Sequence, residues 1–153
     1  MSITHQPANL TLAQIQQMIG GVMLLSQHSP LHRRYVVAEW LQRILPAFEL
    51  NQFCYYEDEH GRPIAFCNWA FVSEQIRDEL LSGVREISPS DWRSGQQIYI
   101  PEMIAPFGHG REVVNDLRRR VFLPWQGQKV CTVRGKVDAQ NDRCIRKVQW
   151  FSI

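Results

Sequence analysis

Apolar residues along the first half of the chain recur first at helical and then at strand spacing. Leu12, Ile15, Met18, Ile19 and Val22 fall on one helical face, and Thr11 with Gln14 three places on has the form of a capping box. The pattern predicts a first helix from Thr11 to about Leu25, weakened in its last turns by Gly20-Gly21, after a loose arm over residues 1–9. Ser26-Gln27-His28 makes a turn. Ser29-Pro30 then opens a second helix, with Ser29 as N-cap and Pro30 at the first helical position, where its missing N–H costs nothing. The predicted buried face of that helix is Val36, Val37, Trp40, Leu41, Ile44 and Leu45, and Pro46 halts it.

From Phe53 the period becomes that of strands. Phe53 to Glu57 and Ile64 to Phe71 are rich in aromatic and β-branched residues, and the polar turn between them predicts a hairpin. Ser73 caps a helix through Leu81, with Gly83 as its stop. Ile98 to Ile104 reads as a strand, residues 106–110 as a loop, and Arg111 to Phe122 as a helix ended by Pro124. Lys129 to Arg134 and Cys144 to Phe151 read as closing strands, joined by a turn around Asp138 to Asp142. The order predicts an α+β (α/β-like) fold in one domain over residues 1–153, with a central, mostly antiparallel sheet flanked by helices.

Length and composition fit a globular chain: 153 residues, 44% hydrophobic and 21% charged, enough to bury a core without covalent staples. Four scattered cysteines show no CxxC pair, so they read as reduced thiols and no metal is expected. The first residues lack a secretory pattern and no apolar run approaches membrane-spanning length, so a cytoplasmic protein is expected. The net charge of +2 hides an asymmetry. Residues 1–110 hold seven Lys/Arg against eleven Asp/Glu, whereas the remainder holds ten against four. A basic last third, with Arg118-Arg119-Arg120 in it, suits an acidic partner or a phosphate, although such charges are more often a solvated face.

The chemistry with most promise lies at Ser29-Pro30-Leu31-His32-Arg33. At the third helical position, an imidazole near the positive end of the helix dipole is disfavoured as a cation and is predicted to stay neutral, as a general base must. The plainer reading is a capped helix start carrying an ordinary histidine. Gly108-His109-Gly110-Arg111 before a helix offers close backbone approach and free amides to an anion, a weak signal on its own. Glu102, upstream on the strand, is a carboxylate able to orient the His32 ring if the fold brings them together. Walker-type phosphate loops, HExxH and GxSxG are absent.

Five short motifs follow one another along the chain: Ser29 to Arg33, Asn51-Gln52-Phe53, Ala65 to Ala70, Asp91-Trp92 with Ser94-Gly95, and Ile104 to Gly108. Taken together, they resemble the toxin-activating lysine acyltransferases that fatty-acylate RTX protoxins. The resemblance implies a fold like the GNAT acyltransferases and a donor that is acyl-acyl carrier protein, bearing a phosphopantetheine thioester, with no bound cofactor. It implies transfer to the ε-amino group of internal lysines of an RTX-type protoxin, which activates the toxin, and a homodimer. His32 takes the place of the family's catalytic histidine and Ser29 that of its motif serine. Glu102 stands where the family commonly has aspartate, on an arm one methylene longer. Gly108, Gly110 and Arg111 are the expected contacts to the donor's phosphate.

Two other readings follow from the residues. Strand–GxG–helix order alone suits an acyl-CoA-dependent N-acetyltransferase, although no fuller glycine-rich pyrophosphate loop is present. The basic last third suits a nucleic-acid-binding module, against which stand the acidic first part and the lack of an aromatic-basic motif.

Overall fold

The computed structural model describes residues 2–4, 9–138, 140 and 143–153. Helix α1, Leu12–Ser26, starts as its sequence dictates: the Gln14 amide donates to Thr11 Oγ1 at 3.2 Å and the Thr11 amide to Gln14 Oε1 at 2.8 Å. It buries Met18, Val22 and Leu25.

The single helix predicted from Ser29 to Pro46 is instead three pieces. A 3₁₀ turn at His32–Arg34 is followed by α2, Val37–Arg43, and α3, Leu45–Leu50. Tyr35 and Val36 are extended between the first two, and Glu39 caps α2 by accepting from the Val36 amide at 2.7 Å. The apolar spacing had run two surfaces together: Trp40 and Ile44 are buried, while Val36, Val37 and Leu41 are 61, 74 and 53% exposed. Pro46 breaks nothing, because it lies in the first turn of α3, where its N–H is not needed.

The predicted hairpin forms from β2, Phe53–Glu57, and β3, Pro63–Asn68. β1, Ser2–Thr4, pairs with the outer edge of β2, where the sequence suggested a loose arm; Met1 and residues 5–8 lie outside the described residues. Two predicted strands each divide. The first leaves β3 at Trp69 and resumes as β4, Ala70–Val72; the second is split into β5, Gln97–Ile100, and β6, Met103–Ile104. With β7, Lys129–Asp138, and β8, Arg143–Ser152, the result is two four-stranded sheets, β1-β2-β3-β6 and β4-β5-β7-β8, in place of one central sheet. Every pairing between neighbouring strands is antiparallel except β5 with β7, in keeping with the expected α+β class. The β7–β8 hairpin extends beyond the predicted strands, and residues 139, 141 and 142 of its turn lie outside the described residues.

The junction between the sheets is a bulge. Cys67 faces Met103 and Ala70 faces Tyr99, so two residues on one side oppose three on the other. Pro101, one of the three, has no N–H to offer a ladder. Asn68 closes the gap: its amide donates to the Glu102 carbonyl at 3.1 Å, and its Oδ1 accepts from the Glu102 amide at 2.9 Å. A bulge of this kind re-aims a side chain, here that of Glu102.

Alternation along β2 separates two apolar clusters. Phe53 and Tyr55 join Val22, Trp40 and Phe48 under the first three helices; Cys54 and Tyr56 join Trp69, Leu117 and Phe122 on the other side. Helix α4, Glu74–Ser82, is capped by Ser73 and ends at Gly83, whose φ of 79° is the left-handed conformation expected of its stop. Helix α5, Gly110–Asp116, runs on through a π turn at Leu117–Val121. No helix of the described residues is long and apolar enough to cross a membrane.

Two glycines make opposite stability predictions. A Cβ on Gly95 would lie 2.4 Å from the backbone of Val72 and Ser73, so Gly95→Ala should lower the unfolding free energy by about 1–3 kcal/mol. Gly20, inside α1 with nothing within 4 Å of its Cβ position, should gain up to about 1 kcal/mol as alanine. Urea titration of both variants is the check; a Gly95→Ala protein as stable as the parent would contradict the described packing.

Candidate active site

The bulge and the 3₁₀ turn bring Glu102 and His32 together from 70 positions apart. Glu102 Oε2 lies 2.6 Å from His32 Nε2, and Ser29 Oγ lies 2.6 Å from His32 Nδ1. The longer arm of glutamate therefore reaches the ring. His32 is 7% exposed and Glu102 4%, and the His32 ring packs at a tilt against Tyr35 with centroids 5.1 Å apart.

Two residues that sequence reasoning did not single out, Tyr35 and Arg43, complete the surroundings of the Glu102 carboxylate. Its Oε1 accepts from the Tyr35 hydroxyl at 2.6 Å and from Arg43 Nε. Arg43 Nη2 donates to the Pro101 carbonyl at 2.8 Å, and the carbonyl of Arg43 accepts from Asn68 Nδ2 at 2.8 Å. Burial would push the Glu102 carboxyl up, but the Arg43 guanidinium, together with His32 and the Tyr35 hydrogen bond, outweighs it and holds the group at about 2 against an ordinary 4.5. Burial and the adjacent Glu102 raise the Tyr35 phenol, so it remains a donor.

These charges fix the use of the histidine's two nitrogens. An ionised carboxylate only accepts, so Nε2 carries a hydrogen and donates it to Glu102. In the neutral ring Nδ1 is then the basic nitrogen, and it accepts from the Ser29 hydroxyl. Ser29 Oγ also accepts from the His32 amide at 3.4 Å. The N-cap expected of Ser29 thus exists only in this weak form, on a three-residue 3₁₀ turn with little helix dipole behind it. Ring orientation comes from Glu102, not from a helix.

Ser29 and His32 stand at the head of a groove of about 850 Å³, walled by α5 on one side and the β7–β8 hairpin on another. Gly110 and Arg111 line it; Gly108 does not, being exposed at φ 91° with open space where a Cβ would stand. The loop bearing Gly108 is held to the turn before Ser29 by Phe107, whose ring is 5.2 Å from that of His28. Arg118, Arg134, Lys136 and Lys147 add positive charge to the walls. The run Arg118-Arg119-Arg120 is not one surface: Arg118 lines the groove, Arg119 is exposed, and Arg120 is paired with Asp116 at 2.7 Å.

Of the four cysteines, Cys54, Cys67 and Cys131 are buried, and burial pushes their thiols up, to about 12 for Cys131. None of these three suits nucleophilic attack, which needs a thiolate. The oxygen of Ser29 and the imidazole of His32 are the hydrogen-bonded pair of reactive groups that line the groove.

The HlyC family, described as the RTX toxin acyltransferase family, matches residues 11–152. An uncharacterized protein of Synechocystis sp., sll0720, is 33% identical over 107 residues, covering 69% of this chain and 73% of the relative. The leukotoxin-activating lysine-acyltransferase LktC of a Pasteurella haemolytica-like species is 27% identical over 119 residues, 78% of this chain and 70% of its own. The protein-lysine myristoyltransferase HlyC of Escherichia coli is 31% identical over 105 residues, 68% of this chain and 61% of its own.

The low Glu102 value has a consequence for stability. The ionised carboxylate stabilises the folded chain fully above its unfolded value near 4.5, and this contribution is lost as pH falls through about 2. Glu102→Gln should therefore flatten the fall in denaturation midpoint between pH 4.5 and about 2. An unchanged slope in circular-dichroism melts would contradict the charged pair.

Proposed function

Because the chain belongs to the RTX toxin acyltransferase family, we propose that this acyltransferase moves a fatty acyl group from the phosphopantetheine thioester of acyl carrier protein to the ε-amino group of internal lysines in an RTX-type protoxin. The observation that supports the reading best is the line Ser29–His32–Glu102 at the head of a basic groove.

The lysine ammonium must lose a proton before it attacks. With Nε2 engaged by Glu102, the proton goes to Nδ1, and the Ser29 hydroxyl stands beside that nitrogen. Ser29 passes its hydrogen to Nδ1 as it takes one from the amine, and Glu102 stabilises the imidazolium that forms. The amine attacks the thioester carbonyl, the tetrahedral adduct releases the surplus proton of its nitrogen to water and collapses with loss of the thiolate, and the thiolate recovers a proton from His32. Arg111, Arg118, Arg134, Lys136 and Lys147 give the groove a charge complementary to an acidic carrier and the phosphate of its arm. A donor of that kind places the reaction in the cytoplasm, and no bound cofactor takes part.

The same 2.6 Å Ser29–His32 contact favours a second course, in which Ser29 Oγ attacks the thioester first and an acyl-serine then passes its group to lysine. Labelled acyl-acyl carrier protein mixed with enzyme in the absence of acceptor separates the two, since only the second leaves label on the denatured enzyme.

The test of function is intact-mass analysis of an RTX protoxin incubated with the protein and acyl-acyl carrier proteins of several chain lengths. One or more acyl additions to the protoxin are expected, with the rate lowered at least about 10³-fold in His32→Ala. Equal use of acyl-CoA would overturn the donor, and full activity of His32→Ala would overturn the mechanism.

A further inference from the structure

We propose that Arg43 is a positioning residue for acyl transfer, fixing the Glu102 carboxylate so that only its Oε2 is left for His32. The inference rests on the role proposed above for His32.

Arg43 is the last residue of α2, and its guanidinium reaches three acceptors on two parts of the chain. Nε engages Glu102 Oε1, Nη2 donates to the Pro101 carbonyl at 2.8 Å, and Nη1 donates to Glu86 Oε2 at 2.7 Å. Its own carbonyl accepts from Asn68, whose Oδ1 holds the Glu102 amide. Arg43, Asn68 and Glu102 thus form a closed ring that grips the glutamate by both main chain and side chain. With the Tyr35 hydroxyl also on Oε1, that oxygen is occupied, and rotation of the carboxylate is blocked.

The charge is as specific as the geometry. The titratable groups facing Glu102 are His32 and Tyr35 beside the turn, Arg43 on α2, Tyr99 on β5 and Cys67 on β3. Tyr35, Tyr99 and Cys67 are pushed up by burial and carry no charge near neutrality. Arg43 is therefore the permanent cation among them, and the neighbouring carboxylate raises its own value further despite its burial. A lysine there would supply the charge without the fork that bridges Glu102 and Pro101.

Three variants test the assignment: Arg43→Met, Arg43→Lys and Tyr35→Phe. The readouts are kcat, donor KM, and ¹³C NMR titration of the Glu102 carboxyl, assigned with Glu102→Gln. Arg43→Met should lose about 10- to 100-fold in kcat with donor KM near the parent value. Its Glu102 carboxyl should titrate at least about one pH unit higher. Arg43→Lys should keep the carboxyl low and recover part of kcat, and Tyr35→Phe should lose less than Arg43→Met. Should Arg43→Met not fold, Arg43→Lys decides, because full activity in it would overturn the need for the fork. An unshifted carboxyl in Arg43→Met would reduce Arg43 to a structural residue. A parent protein with the expected titrations but no acyl transfer would instead overturn the proposed function and leave the arrangement standing.

Discussion

A negative charge buried between two sheets is the constraint around which this molecule is built. Removing the Glu102 carboxylate from water costs several kcal/mol unless its oxygens are paired, and here both are: Oε1 by Tyr35 and Arg43, Oε2 by His32. His32 and Tyr35 come from the 3₁₀ turn and its cap and Arg43 from α2, so the carboxylate draws together the turn, α2 and the bulge. It also sets the chemistry at the other side of the imidazole, because a ring that donates from Nε2 offers Nδ1 to the Ser29 hydroxyl.

The rest of the fold can be understood as support for that placement. Pro101 denies the ladder a donor where the two sheets part, and Asn68 replaces the lost pairing with its side chain. The extended Tyr35–Val36 segment interrupts what would have been a continuous helix, turning the Tyr35 hydroxyl toward Glu102 and starting α2 where its last residue, Arg43, meets the same group. Positive charge lines the same groove, on Arg111, Arg118, Arg134, Lys136 and Lys147.

Local signals were legible in the sequence where their causes are local. The capping box of α1, Ser73 and Gly83 around α4, and the β2–β3 hairpin were all readable from neighbouring residues. The interrupted second helix was not, because Val36, Val37 and Leu41 keep helical spacing while facing outward, and the pull on Tyr35 comes from a residue 67 positions away. Pro101 was a usable warning that the strand over 98–104 would break. Of the site, Ser29, His32 and Glu102 could be named, but their meeting could not be read from spacing. Arg43 gave no signal, since an arginine ending an amphipathic helix is indistinguishable in sequence from a solvated one. The pairing of Arg120 with Asp116, by contrast, was available from their separation of four residues.

The central claim is that Glu102 dictates which nitrogen of His32 carries the hydrogen. Long-range ¹H–¹⁵N correlation spectra of histidine-labelled protein read this directly. The neutral His32 ring should show its hydrogen on Nε2 and a bare Nδ1, and Glu102→Gln should weaken that preference. A ring protonated on Nδ1, with Nε2 bare toward Glu102, would contradict the account.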